Sequence, residues 1–233
     1  MPNHVTNIVT CEGSPEVLKS LLNADGDVDF NAVVPMPEGY KDFQPHCGIE
    51  DRCLAALGLA GNPGENLSGM DAVIARLKFH NIARDISTPA SREDVQMVIT
   101  ALSLWLNHGH LYWYPWSLEH WGTKWNAYSQ TIEDESLRFD TAWSTPKKIF
   151  MALSAKHPEH EIKVSFADED FGANCGVLTL KGGEIISEWL PEAYTFEARQ
   201  FAFNVRWPGE DPADHEMDEN FEYIEDEDED EVA

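Results

Sequence analysis

The sequence predicts an α+β fold, an antiparallel sheet of the split βαβ kind with two helices on one face. Three observations predict it. Short β-branched or alternating segments recur at 5–11, 28–34 and 161–167. Proline-led helical stripes follow the first of these and precede the last. Compact glycine or acidic turns divide the later strand segments into hairpins.

Val5 to Cys11 is rich in β-branched residues and stops at Glu12-Gly13, as a strand does. Ser14 stands where an N-cap is needed, and Pro15 occupies the first helical position, where its missing N–H costs nothing. Val17, Leu18, Leu21 and Leu22 then form one apolar stripe, ended by Asp25-Gly26-Asp27. Val28 to Val34 is expected to be the second strand, closed by Pro35-Met36-Pro37.

Residues 38–110 interrupt the pattern and are expected to be a helical insertion. Within it a short helix is expected at 49–59, a loop at 61–69 and a helix from Met70 to about Arg84 with Val73, Ile74 and Leu77 on one face. Ser91 is expected to open a further helix, with Asp94 in its first turn and Val95, Val98, Ile99, Leu102 and Leu106 as its stripe.

A hairpin is expected over 125–143, joined by Glu133-Asp134-Glu135-Ser136, whose length leaves its register open. Ser144 and Thr145 precede Pro146 and a helix with Ile149, Phe150 and Leu153 inward; Lys156-His157-Pro158 ends it. Residues 161–167 alternate strictly. Gly182-Gly183 joins strands 176–181 and 184–189, and a last helix is expected over 193–205. Leaving the insertion aside, strand, helix, strand, strand, helix, strand is the ferredoxin-like order, here with an added C-terminal hairpin and helix. The division expected is one domain over 1–208 and an acidic tail over 209–233.

The 233 residues carry a net charge of −26, and the tail alone contributes −14 with no lysine or arginine. That tail has too little apolar surface to offset its chain entropy and is expected to be disordered when free. So acidic a surface excludes the basic footprint of direct nucleic-acid binding, and it suits solubility or a basic protein partner. Cys11, Cys47, Cys53 and Cys175 contain no C-x-x-C pair, so no zinc or iron–sulfur site is expected and reduced thiols in a cytoplasmic protein are. Neither a signal peptide nor an apolar run of membrane-spanning length is read from the sequence.

Five of the eight tryptophans fall between Tyr112 and Trp143. Within that stretch Trp121-Gly122-Thr123-Lys124-Trp125-Asn126 has two readings. In one, Trp121, Trp125 and Trp143 offer indole faces to a ligand or partner that Lys124 and Asn126 orient. In the other, the rings close the sheet and their N–H groups bond to backbone carbonyls, the ordinary fate of aromatic clusters at element junctions. His108, His110 and His120 invite a metal reading, but no carboxylate stands at a recognised ligand spacing, and no metal or other cofactor is expected. No phosphate loop, nucleophile elbow or HExxH motif occurs, and no catalytic residue is assigned.

The segments MPNHVTN, VDFNAVVPMPE, WYPWSLEHWGTKWNAY and FDTAWSTPKKIFMALSAKHP together resemble the YubB-like family. Its members are ferredoxin-like proteins of unknown function encoded on phages, plasmids and genomic islands. The resemblance covers 1–37 and about 112–190. It implies the fold reached above and a mobile-element origin in a bacterial host, and it supplies no activity or catalytic residues. The function expected is a non-enzymatic interaction protein, with an acidic, nucleic-acid-mimicking modulator of a host protein as its sharper form. The alternative is a small-ligand-binding protein or unrecognised enzyme using the tryptophan-rich surface.

Overall fold

The computed structural model describes residues 3–45, 47–56 and 92–224. The expected loop at 61–69, the helix from Met70, the Ser91 start and the last nine tail residues lie outside them. Two compact units are present: Met1–Pro35 with His120–Ala233, and Met36–Glu119.

The first unit is built on a six-stranded antiparallel sheet. Its strands are β1 (His4–Thr10), β2 (Tyr128–Ile132), β3 (Ser136–Ala142), β4 (Ile162–Asp168), β5 (Cys175–Lys181) and β6 (Glu184–Trp189), in the order β2-β3-β1-β4-β5-β6. Helix α1 (Pro15–Lys19) follows β1. The first four strands have the ferredoxin-like order, and β5–β6 extends the sheet as a hairpin. Its Gly182-Gly183 turn has φ of 61° and 91°, the doubly left-handed backbone a tight hairpin needs.

The strand expected at 28–34 is absent, and β2 takes its place in the sheet. Residues Phe30–Ala32 form a 3-10 turn instead. The cause is local competition for backbone donors. The Asp29 carboxylate accepts from Asn31 N at 2.9 Å, Phe30 N donates to Asn126 Oδ1 at 2.9 Å, and Val28 N donates to Gln130 Oε1. Side chains thus take the N–H groups a neighbouring strand would have used. Val28 and Phe30 are buried all the same, so a strand-like composition here serves a buried turn.

The β2–β3 register is settled by a two-residue turn. Glu133 N donates to Ser136 O, and Ile132 pairs with Leu137 and Thr131 with Arg138. A bulge then shifts the pairing to Tyr128 with Asp140, and Ser129 carries the left-handed φ of 50°.

Alternation along the strands sorts the core into two faces. Phe139, Asn7 and Phe166 lie across from one another, whereas Ala167 pairs with Thr6 on the opposite face. The first face buries Val5, Val9, Leu137, Phe139, Val164 and Leu178. Ile149, Phe150 and Leu153 of α6 (Lys147–Lys156) are fully buried too, with Phe150 packed on Phe139 at 6.3 Å. Each such side chain contributes about 1.5–3 kcal/mol by leaving water. On the second face Ala167 and Cys175 meet Ala198, Ala202 and Val205 of α7 (Phe196–Arg206). The added helix therefore covers the face that the two-helices-on-one-side arrangement leaves open. Arg138, on the same face, donates to the carbonyls of Val205 and Arg206 at 2.6 Å each and so caps the end of α7.

The fold also continues past residue 208, the expected end of the domain. Residues Pro212–His215 form a 3-10 turn, Met217 is buried and bridges Tyr223, and Phe221 lies on Phe203 at 5.3 Å. Arg199 of α7 pairs with Glu222. The acidic segment up to Ile224 is thus held on α7 by aromatic packing and an ion pair.

The second unit contains α2 (Glu38–Lys41), α3 (Ile49–Ala56), α4 (Arg92–His108) and all but the last residue of α5 (Trp113–His120). Its core joins Ile49 and Cys53 to Val98, Ala101, Leu102 and Leu111. On α4 the buried stripe thus includes Ala101, while Ile99 and Leu106 of the expected stripe are only half-buried. Tyr40 is fully buried and donates to His110 O at 2.8 Å; burial pushes its phenol up to about 12. No helix among the described residues is long and apolar enough to cross a membrane.

Candidate functional site

Two loops of the first unit meet beside the start of α6: 121–127, leading into β2, and 143–146, leaving β3. A buried polar network holds them. Asn7, fully buried in β1, donates Nδ2 to Thr141 Oγ1 at 2.9 Å and accepts from Thr145 Oγ1 at 2.6 Å. Thr123 Oγ1 donates to Ala142 O, and Ser144 Oγ to Gly122 O at 2.6 Å. Hydroxyls at these positions answer donors and acceptors that would be costly to bury unmet.

The hydroxyls expected to cap helices are therefore engaged otherwise or not at all. Ser144 and Thr145 tie loops together, and the residue at the α6 N-cap is Pro146, without a side-chain cap. Ser14 likewise makes no side-chain cap for α1, a single short helix of five residues.

Of the five predicted site residues, the structure sends two inward. Trp121 is 3 % exposed; its Nε1 donates to Val34 O at 2.9 Å, and its ring meets Phe30 edge-on at 5.7 Å. Asn126 accepts from Phe30 N and Ala127 N and donates Nδ2 to Asp29 Oδ1 at 2.7 Å. Both residues fasten the 28–34 turn to the sheet, which is the burial reading of the stretch.

The other three come together at the surface. Lys124 Nζ lies 4.6 Å from the ring centroids of both Trp125 and Trp143, a cation held between two indoles. Trp143 is 42 % exposed and has φ of 69°, a left-handed backbone that a bulky residue seldom adopts. That kink turns its ring out of the β3 alternation, where the odd positions 137, 139 and 141 are buried. Beside these loops lies a cavity of about 400 Å³ lined by Gly122, Ser144, Lys148, Asn174, Cys175 and Leu190, among others. Burial raises the Cys175 thiol to about 11, which makes it a poor nucleophile.

Sequence reasoning passed over Asn7 and Asn174. Asp168 is buried and accepts from Asn3 Nδ2, Asp170 N and Asn174 Nδ2. The signal available for Asn7 was a polar residue in register with Val5 and Val9, at a position where alternation calls for an apolar one. In the second unit His110 Nε2 lies 2.7 Å from Glu119 Oε2, and His108 packs against the Tyr40 ring. Cys11, Cys53 and Cys175 are buried free thiols, and Cys47 is an exposed one.

Residues 124–207 match the family model described as "Ferredoxin-like domain in Api92-like protein". That match covers about a third of the chain and agrees with the observed strand order; it carries no activity. No curated protein matches the chain. A crystal structure of protein api92 from Yersinia pseudotuberculosis aligns over 83 % of this chain and 99 % of its own, at 11 % identity and a TM-score of 0.37, a likeness too slight to carry an argument.

Proposed function

We propose that the protein is a non-enzymatic interaction protein of a phage or other mobile element, of YubB-like kind, which binds a basic host protein in the bacterial cytoplasm. The observation that carries this reading is the placement of acidic charge. Seven carboxylates between 210 and 222 sit on a segment docked to α7 through Phe221 and Arg199, and seven more follow directly at 225–231. A fixed anionic surface followed by further acidic chain favours rapid encounter with a cationic partner. In its sharper form, carboxylates stand where a basic groove ordinarily meets phosphates.

The test is affinity capture from host lysate with the full chain and with residues 1–224, followed by binding measurements across salt concentrations. Truncation is expected to weaken capture and to reduce the salt dependence. Equal affinity of the two forms at every salt concentration rejects a role for the acidic end.

A second reading rests on the Lys124–Trp125–Trp143 cluster and its neighbouring cavity, which suit a small planar or anionic ligand. It predicts a ligand-induced rise in melting temperature that Lys124→Ala abolishes. A shift that survives the substitution removes Lys124 from that site.

A further inference from the structure

The two edges of the sheet are built differently. At one end β2 is bulged, takes a left-handed kink at Ser129, and has the 28–31 turn bonded to Gln130 and to Asn126 just before it. Those are the devices by which proteins blunt an edge. At the other end β6 pairs with β5 on one side only and is terminal in the sheet; its pairing shifts register once, between Thr179–Ser187 and Leu180–Ile185, which leaves Ile186 as the extra residue, but no turn like that of 28–31 is bonded to it among the described residues. It carries exposed apolar side chains rather than lysine or proline: Ile186 is 53 % and Trp189 38 % exposed, and Leu190 just beyond is 52 % exposed.

We propose that the outer edge of β6 is a strand-addition site for an extended peptide segment in which apolar residues alternate with lysine or arginine. This deepens the interaction reading above and rests on it. On the Ser187–Trp189 side of the shift at Ile186, the backbone edge offers main-chain donors and acceptors to an added strand. Ile186, Trp189 and Leu190 supply apolar contact. Specificity for a basic segment comes from charge. Residues 184–197 contain four glutamates and no lysine, arginine or histidine. Of the lysines near this edge, Lys147 is paired with Glu188 at 2.6 Å and Lys181 with Glu161 at 3.2 Å. Glu184 and Glu192 are exposed and form no ion pair among the described residues. A second copy of this chain is the poorer occupant, because two molecules of charge −26 repel.

The probe is a blocked synthetic octapeptide of alternating lysine and valine, with a version N-methylated at alternate backbone amides and a glutamate–valine version. Titrated onto the full chain, the lysine–valine peptide is expected to protect the β6 amides from hydrogen exchange. The N-methylated peptide, which keeps charge and side chains but cannot extend a sheet, is expected to bind at least tenfold more weakly. Ile186→Glu sharpens the result by its sign. It weakens binding several-fold if the peptide adds as a strand against Ile186, and strengthens it if attraction is electrostatic alone. Equal binding of the two lysine peptides, tighter binding to the Ile186→Glu chain, or protection confined to residues outside β6 overturns the edge site while leaving the basic-partner reading in place. If the glutamate–valine peptide binds as well as the lysine–valine one, the basic specificity fails, and the basic-partner reading is then judged by its own truncation test.

Discussion

Two residues of the Trp121–Asn126 loop face inward and two face outward, and the difference between them lies in what their backbone neighbours need. Trp121 and Asn126 answer polar groups of the 28–34 turn, the Val34 carbonyl and the Phe30 amide. Lys124 and Trp125, together with Trp143, form a half-exposed cluster of a cation between two indoles. The lesson is that an aromatic-rich motif divides between scaffold and surface according to the hydrogen bonds left over by adjoining chain, and not according to residue type.

The largest expected effect that probes this division is Trp121→Ala. It empties the site beside Phe30 and leaves the Val34 carbonyl without its donor, at a cost of about 4 kcal/mol in urea or thermal unfolding. A loss below about 1 kcal/mol places Trp121 with the surface group. Asn126→Ala is next, at about 2 kcal/mol, because the buried Phe30 amide loses its acceptor. A double-mutant cycle with Asp29→Ala sharpens it: coupling indistinguishable from zero means that the 2.7 Å bond does not hold the turn.

Alkaline titration reads the packing without mutation. Burial raises Tyr128, bonded to His4 Nδ1, to about 12, and Tyr40 in the second unit to about 12 as well. A phenol with a folded pKa above its unfolded value near 10 binds its proton more tightly when folded. Its contribution to stability is complete below about pH 10 and is lost as pH rises towards 12. Phenolate absorbance for these two should therefore appear together with unfolding; two additional phenols titrating near pH 10 in the still-folded protein contradict it.

On the exposed side the effects are small. Lys124→Ala is expected to cost under about 1 kcal/mol, the range of a surface cation–π contact. Trp143→Gly is expected to be near neutral. It forfeits that contact and relieves a left-handed backbone worth about 1–2 kcal/mol to a residue with a Cβ. A clear loss of stability in the glycine variant shows that the ring is part of the scaffold after all.

Much of the sheet was legible in the sequence because alternation and turn chemistry act locally. Strands near 5–11, 161–167, 176–181 and 184–189 appear within a residue of those bounds, and the 125–143 hairpin appears with its first strand starting three residues later. The 28–34 segment misled because apolar, β-branched composition reports burial and not the backbone partner; Asp29 and Asn126 decided the outcome, and Asn126 lies 96 residues from Phe30. The continuation of the fold to Ile224 was hidden by carboxylate density. Among those carboxylates Phe221, Met217 and Tyr223 supply the contacts, and a composition average dilutes them. Within the candidate site, the polar network was illegible for the same reason as the turn. Asn7 and Thr141 are 134 positions apart in sequence.

That separation bears on how the chain is made. β1 pairs only with β3 and β4, so during synthesis the first strand emerges with Val5 and Val9 uncovered and both of its edges open until Ala142 has left the ribosome. The intervening stretch includes a unit with its own apolar centre, able to collapse first and lengthen the wait. A nascent chain stalled short of residue 136 lacks any partner for that strand, and at that stage the cell's holding chaperones would have the most to bind.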